Sequence, residues 1–194
     1  MATVPFSINQ FRAELRNGGV RPNQFAMSIT FPQAVPNSSA LNRTSSFLVN
    51  IAELPGVSIG TVPIYYRGRE LKLPGDKSFA PFTCTILNDT DFSLRSGIEG
   101  WMNLIENNIN KQGYTNPALY LSTITVSQLD RSGNTLRYYK MLGAYPNDIG
   151  AVGLDFGAND QLSSFQVAFQ YQHYEVSKDF GSTNETAVIT GFNL

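Results

Sequence analysis

The chain has 194 residues, only 15% of them charged, and a formal net charge of −1. Soluble domains usually carry about 25% charge; here Asn, Ser, Thr, Gln and Tyr take that place, and such groups enter an interface without an ion's desolvation cost. The length suits one domain with a sizeable core, and the charge excludes a broad basic field that holds nucleic acid through its phosphates.

Ser7 opens a short helical pattern over about 7–17, with Gln10 as capping-box partner, Ile8, Phe11 and Leu15 on one face, and Gly18-Gly19 as its end. After the turn Arg21-Pro22-Asn23, Phe25, Met27, Ile29 and Phe31 alternate with Ala26, Ser28 and Thr30, which predicts a half-buried strand. Residues 32–46 are rich in Pro, Asn, Ser and Thr and read as a loop. Phe47, Val49 and Ile51 then predict a second strand.

The most informative stretch is the excursion 54–82. Two Pro-Gly pairs, Pro55-Gly56 and Pro74-Gly75, each read as a turn, because proline fixes φ and glycine accepts positive φ. Between them lies the charged knot Arg67-Gly68-Arg69-Glu70, preceded by Tyr65 and Tyr66 and followed by Asp76. A long two-stranded excursion with a charged, glycine-containing tip suits contact with a neighbouring molecule better than it suits a core.

Phe82, Cys84 and Ile86 alternate again, and Asn88-Asp89-Thr90-Asp91 is a turn into a helix with Thr90 or Asp91 as its cap. The helix is expected over about 92–108, with Leu94, Ile98, Trp101, Met102 and Ile105 on one stripe. A strand over 120–129 leads to a hairpin turn at Arg131-Ser132-Gly133-Asn134, and 135–142 returns from it. Residues 143–157 are punctuated by glycine. Residues 164–176 read as one long strand, with Phe165, Val167, Phe169, Tyr171 and His173 on one face. Phe25, Phe82, Trp101, Phe165, Val167 and Phe169 are the expected structural core. The predicted fold is mainly β: an antiparallel sandwich or barrel with one packed central helix and a short N-terminal helix. The domain is expected to span 1–176, with 177–194 as a terminal extension or an arm strapped onto a neighbour.

Chemistry-bearing residues are sparse. His173 is the single histidine and Cys84 the single cysteine. Both sit in alternating strands, and together they supply too few ligands for a zinc site and no nucleophile-base-acid set. A lone cysteine excludes an intrachain disulfide and fits a reducing compartment. The start MATVPFSINQF lacks the pattern of a secretory signal, so the sequons at Asn37, Asn42, Asn88 and Asn184 read as chance matches. No phosphate-binding glycine motif is present. No catalytic role, metal or cofactor is expected.

Several segments, in order, carry a resemblance. They are Arg21-Pro22-Asn23-Gln24-Phe25, Leu54-Pro55-Gly56, Arg67-Gly68-Arg69-Glu70-Leu71-Lys72 and Pro74-Gly75-Asp76 with Phe79. Leu87-Asn88-Asp89 before the Trp101 helix, the run from Gly143 to Gly150, and Phe165-Gln166-Val167 complete the series. Taken together, over about 6–176, the chain resembles the tail tube proteins of contractile-tailed bacteriophages. The resemblance implies sixfold rings whose subunits join strands into one barrel around a lumen. It also implies stacking of those rings into a tube inside a contractile sheath, with baseplate and tail-terminator proteins at the ends and DNA passing through without tight binding. A virion tail component assembled in the host bacterial cytoplasm is expected. Residues 65–70 and 74–76 are then candidates for the subunit interface. The inner tube of a related injection or type VI-like secretion machine is the alternative on the same fold. A small β-rich ligand-binding or enzymatic domain is the weaker one.

Overall fold

The computed structural model describes residues 7–15 and 19–177. Among these residues the strands are Phe25–Ile29 (β1), Val49–Ala52 (β2), Val57–Tyr66 (β3), Arg69–Phe79 (β4), Phe82–Leu87 (β5), Ser122–Leu129 (β6), Thr135–Ile149 (β7), Ser164–Gln170 (β8) and His173–Ser177 (β9). The helices are Ile8–Glu14 (α1), Ser38–Leu48 (α2) and Ser93–Ile105 (α3). Seven strands make one antiparallel sheet in the order β1-β6-β7-β8-β5-β2, with β9 also on β7. The other two, β3 and β4, pair only with each other.

The sheet bends along β7. Its first part pairs with β6 and β9, and Tyr145–Ile149 pairs with β8 instead. The corner lies at Gly143, where the register jumps from Thr123↔Leu142 to Ser122↔Ala144 and leaves one residue unpaired. Gly143 has φ +64°, and a Cβ there would sit 2.7 Å from Gln172 Cγ. Both conformation and space therefore require glycine. The segment beside it crosses the same bend: β8 ends at Gln170, the Gln172 amide donates to the Leu142 carbonyl at 3.0 Å, and β9 begins at His173.

That crossing corrects the expectation of one strand over 164–176. Phe165, Val167, Phe169 and Tyr171 are buried as the alternation predicts, but His173 is exposed. Crossing the bend of the sheet resets which face points inward, and in β9 it is Tyr174 that packs against the core.

Helices α2 and α3 close over the bent sheet, whereas Ile8, Phe11 and Leu15 of the α1 segment are exposed. From α3, Leu94, Ile98 and Trp101 are fully buried, while Met102 and Ile105 lie at the margin. Trp101 stacks at 5.6 Å from Phe31 and 6.1 Å from Phe169, and its Nε1 donates to the Tyr120 carbonyl at 2.6 Å. The indole thus buries its bulk without stranding its polar atom. The N-cap position of α3 is Phe92 rather than Thr90 or Asp91, and the carboxylate of Asp89, three residues earlier, accepts from the Ser93 amide at 2.9 Å and from the Ser93 hydroxyl at 2.5 Å. Phe82 is buried in β5, and Phe25 is half-buried at the end of β1. At the N-terminus Ser7 accepts from the Asn9 amide at 3.3 Å to cap α1; Gly18, expected at its end, lies outside the described residues.

The polar stretch expected to be a loop contains α2, and Phe47 belongs to this helix rather than to a strand. The polar residues explain why. Ser45 is fully buried; its hydroxyl accepts from the Ile29 amide at 3.1 Å. Asn42 Oδ1 accepts from the Phe31 amide at 2.6 Å. These side chains satisfy the free edge at the end of β1, so tertiary contacts outweigh their weak helix propensity.

Candidate assembly interface

The pair β3–β4 forms an arm of about 30 Å, taking its ten-residue strand at roughly 3.3 Å per residue. Every residue of β3 is exposed, and so is β4 apart from Gly75 and Phe79. At the tip Tyr66 pairs with Arg69 across the two-residue turn Arg67-Gly68. Both turn residues have positive φ, 48° and 79°, as the right-handed twist of a tight hairpin demands. The Arg67 guanidinium lies 5.4 Å from the centre of the Tyr66 ring, close enough for a cation–π contact. The tip thus gathers Tyr65, Tyr66, Arg67, Gly68, Arg69 and Glu70, as the sequence suggests.

Pro74, Gly75 and Asp76 lie elsewhere. They make no second turn but sit inside β4, where Thr61 pairs with Pro74 and Ile59 with Lys77. Gly75 and Asp76 together oppose the single residue Gly60, which is a β-bulge. A Cβ on Gly75 would lie 3.2 Å from the Gly60 carbonyl carbon and from Val62 Cγ2. Close backbone approach across the arm, rather than chain reversal, is what glycine serves here.

The register sorts the side chains by face, because cross-strand partners point the same way. One face carries Val62 with Leu73, Ile64 with Leu71, and Tyr66 with Arg69. The other carries Thr61 with Pro74, Pro63 with Lys72, and Tyr65 with Glu70. The first is an apolar strip that none of the described residues covers. Counting from the turn, Pro63 and Pro74 fall at positions whose amides point outward, so neither interrupts the ladder and each removes a donor from an outer edge. Val62, Ile64, Leu71 and Leu73 were not evident as a unit from the sequence, since their common face depends on the pairing register.

The arm is rooted in the body at its other end. The Ala80 amide donates to the Gly56 carbonyl at 3.2 Å, and the Tyr171 hydroxyl donates to the same oxygen at 3.4 Å. Phe79 packs at 5.8 Å from Tyr171 and 5.7 Å from Tyr174.

The edge strand β1 offers a second uncovered feature. Hydrogen bonds from Leu129 to Gln24 and from Thr30 to Thr123 set its pairing with β6. The backbone groups of the odd-numbered residues therefore face away from β6. Ser45 covers those of Ile29, which leaves Phe25 and Met27 on an open edge. A groove of about 670 Å³ lies between this edge and β2, lined in part by Phe25, Phe47 and Ile51.

Among the described residues nothing comparable concentrates reactive groups. Burial pushes the Cys84 thiol up to about 12, which keeps it protonated and unreactive at neutral pH. His173 stands on the surface. Among the described residues no three His, Cys, Asp or Glu side chains gather where a metal ion could be held, and no helix is long and apolar enough to cross a membrane.

Comparison with known proteins accords with this geometry. A family model described as phage tail tube protein matches residues 20–177. The tail tube protein of Serratia phage KSP90 is 28% identical over 173 residues, covering 88% of this chain and 95% of that protein. The tube terminating cap of the anti-feeding prophage aligns with a TM-score of 0.61 at 14% identity, over 82% of this chain and 91% of its own. A chain from the sheath–tube complex of an extracellular contractile injection system aligns with a TM-score of 0.54 at 16% identity, over 89% and 99%. At such identities the two structures establish a shared fold.

Proposed function

The chain belongs to the phage tail tube protein family, and from that premise we propose that this structural subunit of the virion tail assembles into sixfold rings that stack into a tube. The uncovered arm carries the proposal. An isolated two-stranded ribbon is marginally stable in water, and a monomer gains nothing by exposing an apolar strip along it. Another copy of the chain supplies the missing cover, with Tyr65, Tyr66, Arg67, Gly68, Arg69 and Glu70 at the tip of the contact and Pro74, Gly75 and Asp76 at its mid-length bulge.

Neighbouring subunits close a ring by pairing open edges such as that of β1, which turns a curved sheet into part of a continuous barrel. A sheath surrounds the tube, and baseplate and terminator proteins meet its ends. DNA passes through the lumen. A net charge of −1 suits that role, because a conduit must not anchor phosphates. Membership of the phage family favours this reading over the inner tube of a secretion machine. It also favours assembly over an enzymatic or ligand-binding role.

Negative-stain microscopy of the purified chain across a concentration series tests the reading. Hollow rings and tubes are expected. A globule that stays monomeric at high concentration overturns it. In the double variant Arg67→Glu with Arg69→Glu, assembly should weaken while the monomer folds normally. Normal tubes from that variant would remove the tip from the interface.

A further inference from the structure

We infer that the arm's apolar face receives the loop 150–163 of a second copy, and that this pairing is the axial contact between successive rings. The inference rests on the tube reading and names the two surfaces that meet.

The first argument is position. The arm is rooted where β5 begins and β8 ends, beside Tyr171. The loop 150–163 joins β7 to β8 and lies at the opposite end of the same two strands. There Leu87 pairs with Ser164, and the Asn88 amide donates to the Ser163 carbonyl at 2.9 Å. Six paired residues, roughly 20 Å, separate the two ends. Surfaces at opposite ends of one subunit meet head to tail, and such a contact repeats as an open stack wherever its rotation does not close a ring. That is the geometry a growing stack requires.

The second argument is chemistry. Val152 packs against the core, but Leu154 is 91% exposed, Leu162 is 77% exposed and Phe156 is fully exposed. Three large apolar side chains on one short loop match the uncovered strip of Val62, Ile64, Leu71 and Leu73. The loop holds Asp155 and Asp160 and neither lysine nor arginine. The charge on the strip's own face is of the opposite sign, because the register places Arg69 there and puts Glu70 and Lys72 on the other face. The acidic groove beside α3 is a poorer receptor, because Glu99 and Glu106 are already paired with Arg95 at 3.0 Å and Lys111 at 3.3 Å.

Two measurements test the contact in the full chain. Phe156→Asp should leave the melting temperature of the monomer unchanged and shorten tubes at least tenfold in micrographs, leaving single rings or short stacks. Tubes of normal length from this variant overturn the contact. Single-cysteine additions Tyr66→Cys and Phe156→Cys, made in separate chains and mixed under mild oxidation, should give a disulfide-linked heterodimer only when tubes form. Buried Cys84 does not compete. Tubes without that cross-link also overturn the contact, and in both cases the tube reading survives. Failure of the unmodified chain to form rings or tubes overturns the tube reading itself.

Discussion

Helix α3 and the β3–β4 arm each present a row of large apolar side chains, and the two rows have opposite fates. Leu94, Ile98 and Trp101 are sealed beneath the sheet of their own chain, whereas Val62, Ile64, Leu71 and Leu73 face solvent. Burying such side chains is worth roughly 1.5–3 kcal/mol each, so the first row stabilises the subunit. The second adds no such burial to the isolated subunit, and in the proposed assembly another copy covers it. Substitutions should therefore separate folding from assembly, with the size of the folding effect falling from the body to the arm.

Trp101→Ala should have the largest effect on the isolated chain. It removes a fully buried indole between Phe31 and Phe169 and should cost about 3–5 kcal/mol in chemical denaturation. A loss below about 1 kcal/mol would mean that α3 is not the keystone of the body. Next comes Gly143→Ala, which places a Cβ against Gln172 at a positive φ. About 1–3 kcal/mol is expected, measured in the same way. A neutral result would show that the sheet can turn its corner without glycine.

A smaller contribution depends on pH. Hydrogen bonds from the Asn134 and Ser132 amides hold the Asp130 carboxyl below its ordinary value. A carboxyl with a lowered folded pKa contributes stability above its unfolded value of about 3.9. That contribution disappears as pH falls through the lower folded value. The gap in melting temperature between the parent and Asp130→Ala should therefore be present at neutral pH and close on acidification. A gap that stays constant with pH would assign the turn's stability to its backbone alone.

The smallest effect on folding is expected from Ile64→Asp in the arm. The monomer should stay within about 0.5 kcal/mol of the parent, while sedimentation should show that assembly is lost. A large drop in monomer stability would erase the contrast between the two rows.

The parts legible in the sequence were those set by local periodicity or local turn chemistry. The stripe of α3 repeats at helical spacing, and Arg131-Ser132-Gly133-Asn134 has the composition of the turn it forms. The hidden parts depend on partners distant in sequence. Ser45 and Asn42 look like loop residues until β1 brings backbone amides to them. The break between β8 and β9 leaves no mark, because alternation runs through Tyr171 to His173 while the chain crosses the bend of the sheet. Pro74-Gly75 has turn composition but meets Gly60 across the arm. The arm tip was visible through its charge and glycine. The apolar strip was not, since only the register puts residues 62 and 64 beside 73 and 71.

Pro63 and Pro74 have a consequence for the life of the subunit before assembly. A long exposed ribbon whose outer edges could accept further strands would recruit other ribbons and grow into irregular stacks. With a donor missing from each outer edge, the arm can be recognised across its face but is a poor template along its side. In the proposed assembly this favours recognition through the face of the arm over pairing of one arm with another along their edges.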